Sequence, residues 1–206
     1  MTSARWVEQL GAFQAAFSDT IRAGGSAATM GLTGSTAAQN RMFARVGLAV
    51  RFEAATFHGY SKQTAEAYSS LMGLFLAWSA FEMVAASTGL VRADGRLAPD
   101  RIDALFERER VSTDVSEWAG ITPLLALLAE LTTSANLRKQ LRDAAAGAPL
   151  RLRVLVSALR HAFAHGVLSA NLSGVSARQL RRACEELRRL LITVQLTQLS
   201  AVVDSR

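Results

Sequence analysis

The sequence predicts an all-α protein, an up-and-down helical bundle with an N-terminal two-helix extension. Apolar residues recur three or four positions apart along nearly the whole chain, and no stretch alternates apolar and polar residues as a half-buried strand does. The 206 residues include only three prolines and 14 glycines, too few for long, turn-rich β architecture. We expect residues 1–60 to form the extension and residues 61–206 to form the bundle.

The extension is predicted to contain two amphipathic helices. The first covers residues 4–23, where large apolar residues are three or four apart, and it ends at Gly24 and Gly25. A loop of small residues follows, and the second helix is predicted over residues 36–58, with Gly59 as its stop. Both helices are expected to pack on the bundle.

The bundle is predicted to begin with the most apolar helix of the chain. Ser61 is expected to be its N-cap, and the helix covers residues 62–87 before a glycine stop at Gly89. Leu and Phe residues on nearly all of its sides indicate a central helix with neighbours on more than one face. Ser134 and Ser176 are expected N-caps of two later helices. Further helices are predicted over residues 100–110, 123–132, 135–146, 150–165 and 177–202.

Charge is distributed unevenly along the chain. Residues 1–137 hold 11 basic and 13 acidic side chains, a net charge of −2, whereas residues 138–206 hold 12 basic and 4 acidic side chains, a net charge of +8. All but two of the 23 basic residues are arginine, whose planar guanidinium matches phosphate geometry. The pattern favours a polyanion such as RNA as a partner, and the alternative is a set of solvated helix faces.

Membrane and secretory segments are not predicted. The longest charge-free run in the apolar middle lies between Glu66 and Glu82 and has 15 residues, whereas a transmembrane helix needs about 20. The first residues carry an acid and no apolar leader, so the expected location is cytoplasmic. Cys184 is the single cysteine, which excludes an internal disulfide and a cysteine-rich zinc site, and we expect it to be buried or half-buried.

The densest group of reactive side chains lies in residues 155–171. Arg160 directly precedes His161, and His165 follows four residues after His161, so the two imidazoles share one side of a helix. Gly166 is expected to end that helix and to place His165 at its C-terminus, where a positive charge is favoured.

The two histidines also have the spacing of a zinc-protease motif. Ala162 stands where that motif needs a glutamate base, and the only other histidine, His58, is distant in sequence. We therefore expect no metal site.

The Arg160-x4-His165 string, with its polar second residue and a glycine after the histidine, resembles the motif of the HEPN family (higher eukaryotes and prokaryotes nucleotide-binding domains). An apolar helix ending in the pair Phe81-Glu82, and a long helix after the motif, are also similar to that family. The resemblance covers residues 61–203.

The resemblance implies a bundle of four or five helices, usually dimeric, in which the Arg/His motifs of two protomers share one cleft. Many such proteins are metal-independent RNases of toxin–antitoxin and antiviral systems. It implies that His165 transfers protons, that Arg160 stabilises charge on phosphorus, and that His161 positions the substrate or transfers a second proton. No cofactor is implied, and the expected partners are RNA, a second copy of the chain, and an antitoxin or regulatory protein.

Two functions stay open at this point. The first is a metal-independent endoribonuclease, and the second is a non-catalytic module that dimerises and binds a protein, nucleotide or RNA. Some HEPN proteins carry, three residues after the motif histidine, a tyrosine that a partner nucleotidyltransferase antitoxin modifies. Leu168 occupies that position here, so such regulation is not supported.

Five further arginines are candidate phosphate ligands, one on the motif helix and four on the last helix. Their spacing of three, four or seven residues allows the last four to line one side of a helix. The alternative is a solvated face that neighbouring glutamates partly neutralise. These candidates are Arg153, Arg178, Arg181, Arg182 and Arg189.

Overall fold

The computed structural model describes residues 3–109, 114–116, 118, 121–164 and 175–204. The prediction of an all-α protein is confirmed, because the regular elements of these residues are α-helices and one 3-10 turn at Ala28–Met30. The helices are α1 (Ser3–Arg22), α2 (Thr36–Arg51), α3 (Lys62–Ser87), α4 (Pro99–Arg108), α5 (Ile121–Leu131), α6 (Ala135–Ala145), α7 (Leu152–Ala164) and α8 (Ala177–Asp204).

The chain forms two compact units that do not follow the order of the sequence. Helices α3 and α8 are each divided, with one half in each unit. The expected division into an extension and a bundle at residue 60 stays a prediction. The first unit comprises Met1–Phe52, Leu76–Ile102 and Arg189–Arg206, and the second comprises Glu53–Phe75 and Asp103–Arg188.

The core of the first unit is aromatic. Phe43 of α2 packs against two rings of α1, with centroid distances of 5.6 Å to Phe13 and 5.1 Å to Phe17. The buried amide of Gln195 on α8 donates from Nε2 to the carbonyl of Ala77 on α3 at 3.0 Å. Apolar packing is thus joined to a buried polar contact between two long helices.

The second unit contains α5, α6 and α7, and the apolar residues of these helices form its core. Leu125, Leu141 and Leu155, one from each helix, are fully buried. Leu152 and Leu159 lie one turn before and one turn after Leu155 and are buried as well. The apolar stripe of α7 therefore faces the core, which leaves its polar residues at the margins of the stripe.

The predicted N-caps are confirmed at three helices. The hydroxyl oxygens of Ser61, Ser134 and Ser176 accept hydrogen bonds from backbone N–H groups three residues later, at 3.3, 3.4 and 3.2 Å. Each serine thereby satisfies a backbone donor that the first helical turn leaves without an intrahelical partner.

The predicted end of the second helix is wrong. The helix was expected to reach residue 58, but α2 ends at Arg51, and Phe52 adopts an extended conformation. Residues 53–57 are irregular, and the backbone N–H of Ala55 donates to Oγ of Ser69 on α3 at 2.9 Å. The side chain of Ser69, 14 positions away, thus replaces a helical hydrogen-bond partner of Ala55. The spacing of apolar residues along the chain cannot predict such a contact.

Helix α3 passes the length and composition test for a membrane span. It has 26 residues, and an 18-residue window within it has a mean hydropathy of 1.4. The charge-free run of 15 residues lies inside this helix. Of that window, 56% is buried within the protein, and the core helix of a folded soluble protein passes the same test. The expectation of no membrane partner stays a prediction.

One carboxylate joins two connecting segments of the second unit. Oδ1 of Asp114 accepts hydrogen bonds from the hydroxyl and the backbone N–H of Ser116, at 2.6 and 2.9 Å, and from the N–H of Leu150 at 3.1 Å. The Ser116 hydroxyl is the main cause that lowers the pKa of Asp114 below its usual 3.8, since these donors favour the ionised form.

Replacing Asp114 by asparagine is expected to reduce stability in a pH-dependent way. A carboxylate with a lowered pKa in the folded state stabilises the fold above the unfolded pKa, and this contribution is lost as the pH falls through the folded pKa. The difference in unfolding free energy between wild type and Asp114→Asn should be about 1 kcal/mol at neutral pH and should shrink below pH 3.8. Urea denaturation at several pH values measures it, and a difference that stays constant with pH would contradict the assignment.

Candidate nucleic-acid interface

The predicted motif lies at the end of α7, and the structure describes two of its three candidate residues. Arg160 and His161 are in the last turns of the helix. His165, the predicted proton-transfer residue, lies outside the described residues, as does Leu168.

Arg160 extends from α7 towards α3 within the second unit. Its side chain is half-buried and lines a small apolar pocket together with Leu159 of its own helix and Leu71, Leu74 and Phe75 of α3. The methylene stem of an arginine can cover apolar surface in this way while its guanidinium reaches a polar group. Apolar side chains of α3 therefore lie directly beside Arg160.

His161 faces a different neighbour. Its Nε2 lies 3.4 Å from Oγ1 of Thr133, in the link between α5 and α6, and the side chain is half-buried. The same link is held by Arg138, which donates from Nη2 to the carbonyl of Thr132 at 2.8 Å. Consecutive residues of a helix point about 100° apart, so Arg160 and His161 contact different elements.

Arg153 does not present a free guanidinium. Its Nε donates to Oδ1 of Asp103 on α4 at 2.9 Å, with both side chains largely buried. Two residues earlier, Nη1 of Arg151 donates to Oε1 of Glu107 at 3.1 Å. Together the two ion pairs attach the start of α7 to α4 inside the second unit.

The arginines of α8 divide into exposed and engaged side chains. Arg178 and Arg182 are exposed in the second unit, and Arg189 is exposed in the first. Arg181 is half-buried, hydrogen-bonded to Glu66 of α3, and has its Nε 3.5 Å from Oε1 of Glu185. Among the five candidates, Arg178, Arg182 and Arg189 thus present their charge to solvent.

Cys184 is buried, as expected, on the inner side of α8. Burial raises the pKa of its thiol well above the usual value, since removal from water disfavours the thiolate. The thiol therefore stays protonated at neutral pH and is a packing group rather than a nucleophile.

The second unit also contains a cleft that no sequence pattern predicted. It has a volume of about 360 Å³, and we call it the α3–α8 cleft. The irregular segment 53–57, the first half of α3, and Arg181 and Glu185 of α8 line it. Residues 53–57 line it in an irregular conformation, since α2 ends at Arg51 rather than at residue 58.

Within the described part of the chain, no three His, Cys, Asp or Glu side chains lie close enough together to hold a metal ion. Comparisons with known proteins give no further guide to the site: no family model matches the chain, and neither does any curated protein or solved structure.

Proposed function

We propose that this chain is a HEPN-like, metal-independent endoribonuclease in which Arg160 and His165 act on the scissile phosphate. The main supporting observation is the placement of Arg160 near the end of α7, half-buried beside apolar side chains of α3. The proposal includes a homodimer in which two motifs share one cleft, a cytoplasmic location, and a role as a toxin or antiviral component under the control of a regulatory protein.

The proposed reaction is an internal transesterification of RNA. A histidine removes the proton of a ribose 2′-hydroxyl, and the resulting oxygen attacks the adjacent phosphorus. The bond from phosphorus to the 5′-oxygen breaks, and an acid protonates that oxygen. The products are a 2′,3′-cyclic phosphate and a free 5′-hydroxyl. His165 has the proton-transfer role, because imidazole titrates near neutral pH.

Arg160 would stabilise the negative charge that accumulates on the phosphorus oxygens. A guanidinium stays protonated at all physiological pH values and can donate two parallel hydrogen bonds to a phosphate. Its apolar surroundings strengthen that interaction, because the effective dielectric constant there is lower than in water.

His161 is assigned to positioning or to the second proton transfer. Its contact with the Thr133 hydroxyl restrains the imidazole, which favours a fixed orientation of the other ring nitrogen, Nδ1. Arg178 and Arg182, both exposed on α8, are proposed to contact RNA phosphates. The engaged side chains of Arg153 and Arg181 would instead stabilise the fold.

The test is incubation of total RNA with purified protein in EDTA. Wild type should cleave it and leave 2′,3′-cyclic phosphate ends, and Arg160→Ala/His165→Ala should not. Arg142→Ala, which removes an exposed arginine of α6 that pairs with Glu130, is the matched control and should cleave like wild type. Equal cleavage by wild type and the double variant would overturn the assignment.

The second candidate is a non-catalytic module that dimerises and binds a protein, nucleotide or RNA partner. The ion pairs of Arg153 and Arg181 favour it, because they give structural roles to two of the arginines expected to bind RNA. On this alternative, wild type would cleave no RNA, and the Arg160→Ala/His165→Ala variant would change dimerisation measured by sedimentation.

A further inference from the structure

Three aromatic side chains form a row that leads from the α3–α8 cleft to the surface. Phe57 lines the cleft, and its ring centroid is 5.5 Å from that of Tyr68 on α3. Tyr68 in turn lies 5.2 Å from Tyr60. We call these three residues the aromatic row. Tyr60 is 54% exposed, although burial of an aromatic ring is normally favourable.

The cleft beside the aromatic row is lined by groups of both charges. Glu53 and Lys62 are exposed side chains at its edge, and Arg181 lies between Glu66 and Glu185. Arg181 neutralises one of these two glutamates, so the three groups together carry a net charge of −1.

A second hollow of about 290 Å³ continues along α8. Gln63 and Arg178 line it, and it shares Glu66 and Arg181 with the first cleft. Arg178 is exposed there. The two hollows therefore adjoin at the ion pair of Glu66 and Arg181, with Lys62 in the first hollow and Arg178 in the second.

We propose that the aromatic row and the α3–α8 cleft bind one unpaired nucleotide of an RNA strand. A nucleotide needs an aromatic face for its base, acceptors for its amino and hydroxyl groups, and cations for its phosphates. Tyr60 presents the aromatic face, Glu53 the acceptor, and Lys62 and Arg178 the cations. This inference rests on the proposed function, and it assigns a binding subsite to it.

The carboxylate of Glu53 implies a preference among bases. Cytosine carries an exocyclic amino group at the position where uracil carries a carbonyl oxygen, and the two bases are otherwise alike in shape. A carboxylate accepts a hydrogen bond from that amino group and repels the carbonyl oxygen. We therefore expect oligo(C) to bind more tightly than oligo(U).

The α3–α8 cleft lies on a different face of α3 from Arg160. The cleft residues of α3 lie at positions 62, 65, 66, 69 and 70, a spacing that places them on one face of the helix. The α3 residues beside Arg160 lie at positions 71, 74 and 75, on the opposite face. Tyr60 and Glu53, the two residues varied below, do not line the pocket beside Arg160, so their variants test RNA binding without changing the contacts of that pocket.

The experiment measures anisotropy of short fluorescent oligo(C) and oligo(U) in which 2′-O-methyl groups prevent cleavage. Tyr60→Ala should weaken oligo(C) binding about tenfold, which corresponds to about 1.4 kcal/mol, and Tyr60→Phe should stay within about twofold of wild type. Glu53→Gln should remove the preference for oligo(C), because an amide can donate to uracil as well as accept from cytosine. Leu48→Ala, at an exposed apolar residue of the first unit, is the matched control.

Equal binding by wild type and Tyr60→Ala would overturn the subsite, and so would a lack of oligo(C) binding by wild type. Competition with free CMP distinguishes an RNA strand from a free nucleotide. If CMP displaces the fluorescent oligo(C) at the same concentration as unlabelled oligo(C) does, the assignment to RNA is overturned. Cleavage of total RNA is scored separately. Tyr60-dependent binding without cleavage would support the subsite and overturn the ribonuclease. Cleavage without Tyr60-dependent binding would support the ribonuclease and overturn the subsite.

Discussion

Replacing Arg160 by methionine is expected to lower the rate of RNA cleavage by about 100- to 1,000-fold, the usual loss when one charge-stabilising donor is removed from a transition state. Methionine keeps an unbranched apolar side chain against Leu71, Leu74 and Phe75, so it removes the charge with little loss of packing. Single-turnover cleavage of a labelled RNA measures the rate.

The lysine variant tests the geometry of that donor. Arg160→Lys retains the positive charge but not the planar fork, so it should recover only part of the lost rate. Arg22→Met is the matched control, because Arg22 is an exposed residue of α1 paired with Asp19. Full activity of Arg160→Met would contradict a catalytic role for the guanidinium and would favour a packing role for the side chain.

The largest stability effect is expected in the first unit. Phe81 of α3 is 1% exposed and stacks on Trp78 with a centroid distance of 5.4 Å and an interplanar angle of 29°. Phe81→Ala should lower the free energy of unfolding by about 3–5 kcal/mol, because it removes buried surface and leaves a cavity. This is a large share of the 5–15 kcal/mol that typically stabilises a folded protein.

Urea denaturation followed by far-UV circular dichroism measures this loss. Leu48→Ala is the control, since Leu48 is 52% exposed and its truncation should change the unfolding free energy by less than about 0.5 kcal/mol. Similar losses in the two variants would show that Phe81 does not have the role in the core that its burial implies.

Helix positions were predictable because they depend on neighbours in sequence. The 3.6-residue period of apolar residues predicted α3 at its observed bounds, and the capping serines predicted where three helices begin. The end of α2 was not predictable, because Ser69 of a different helix provides the hydrogen-bond partner of Ala55.

The candidate site was predictable only in part. The motif indicated Arg160 as a site residue of the helix predicted over residues 150–165, and the structure places it beside apolar side chains of α3. The engagement of Arg153 and Arg181 could not be foreseen, because their partners Asp103 and Glu66 are 50 and 115 residues away in sequence. The aromatic row also brings together side chains from the irregular segment 53–57, the turn before α3, and α3 itself.

The sequence by itself determined the all-α class, the helix starts, the excess of basic charge in residues 138–206 and the burial of Cys184. These properties follow from composition, period and capping, which act over one or two helical turns. Tertiary structure alone decided which arginines pair with carboxylates, where α2 ends, and that a cleft forms between α3 and α8. The physical reason is that ion pairs and clefts depend on groups brought together across the fold, and local periodicity contains no information on those distances.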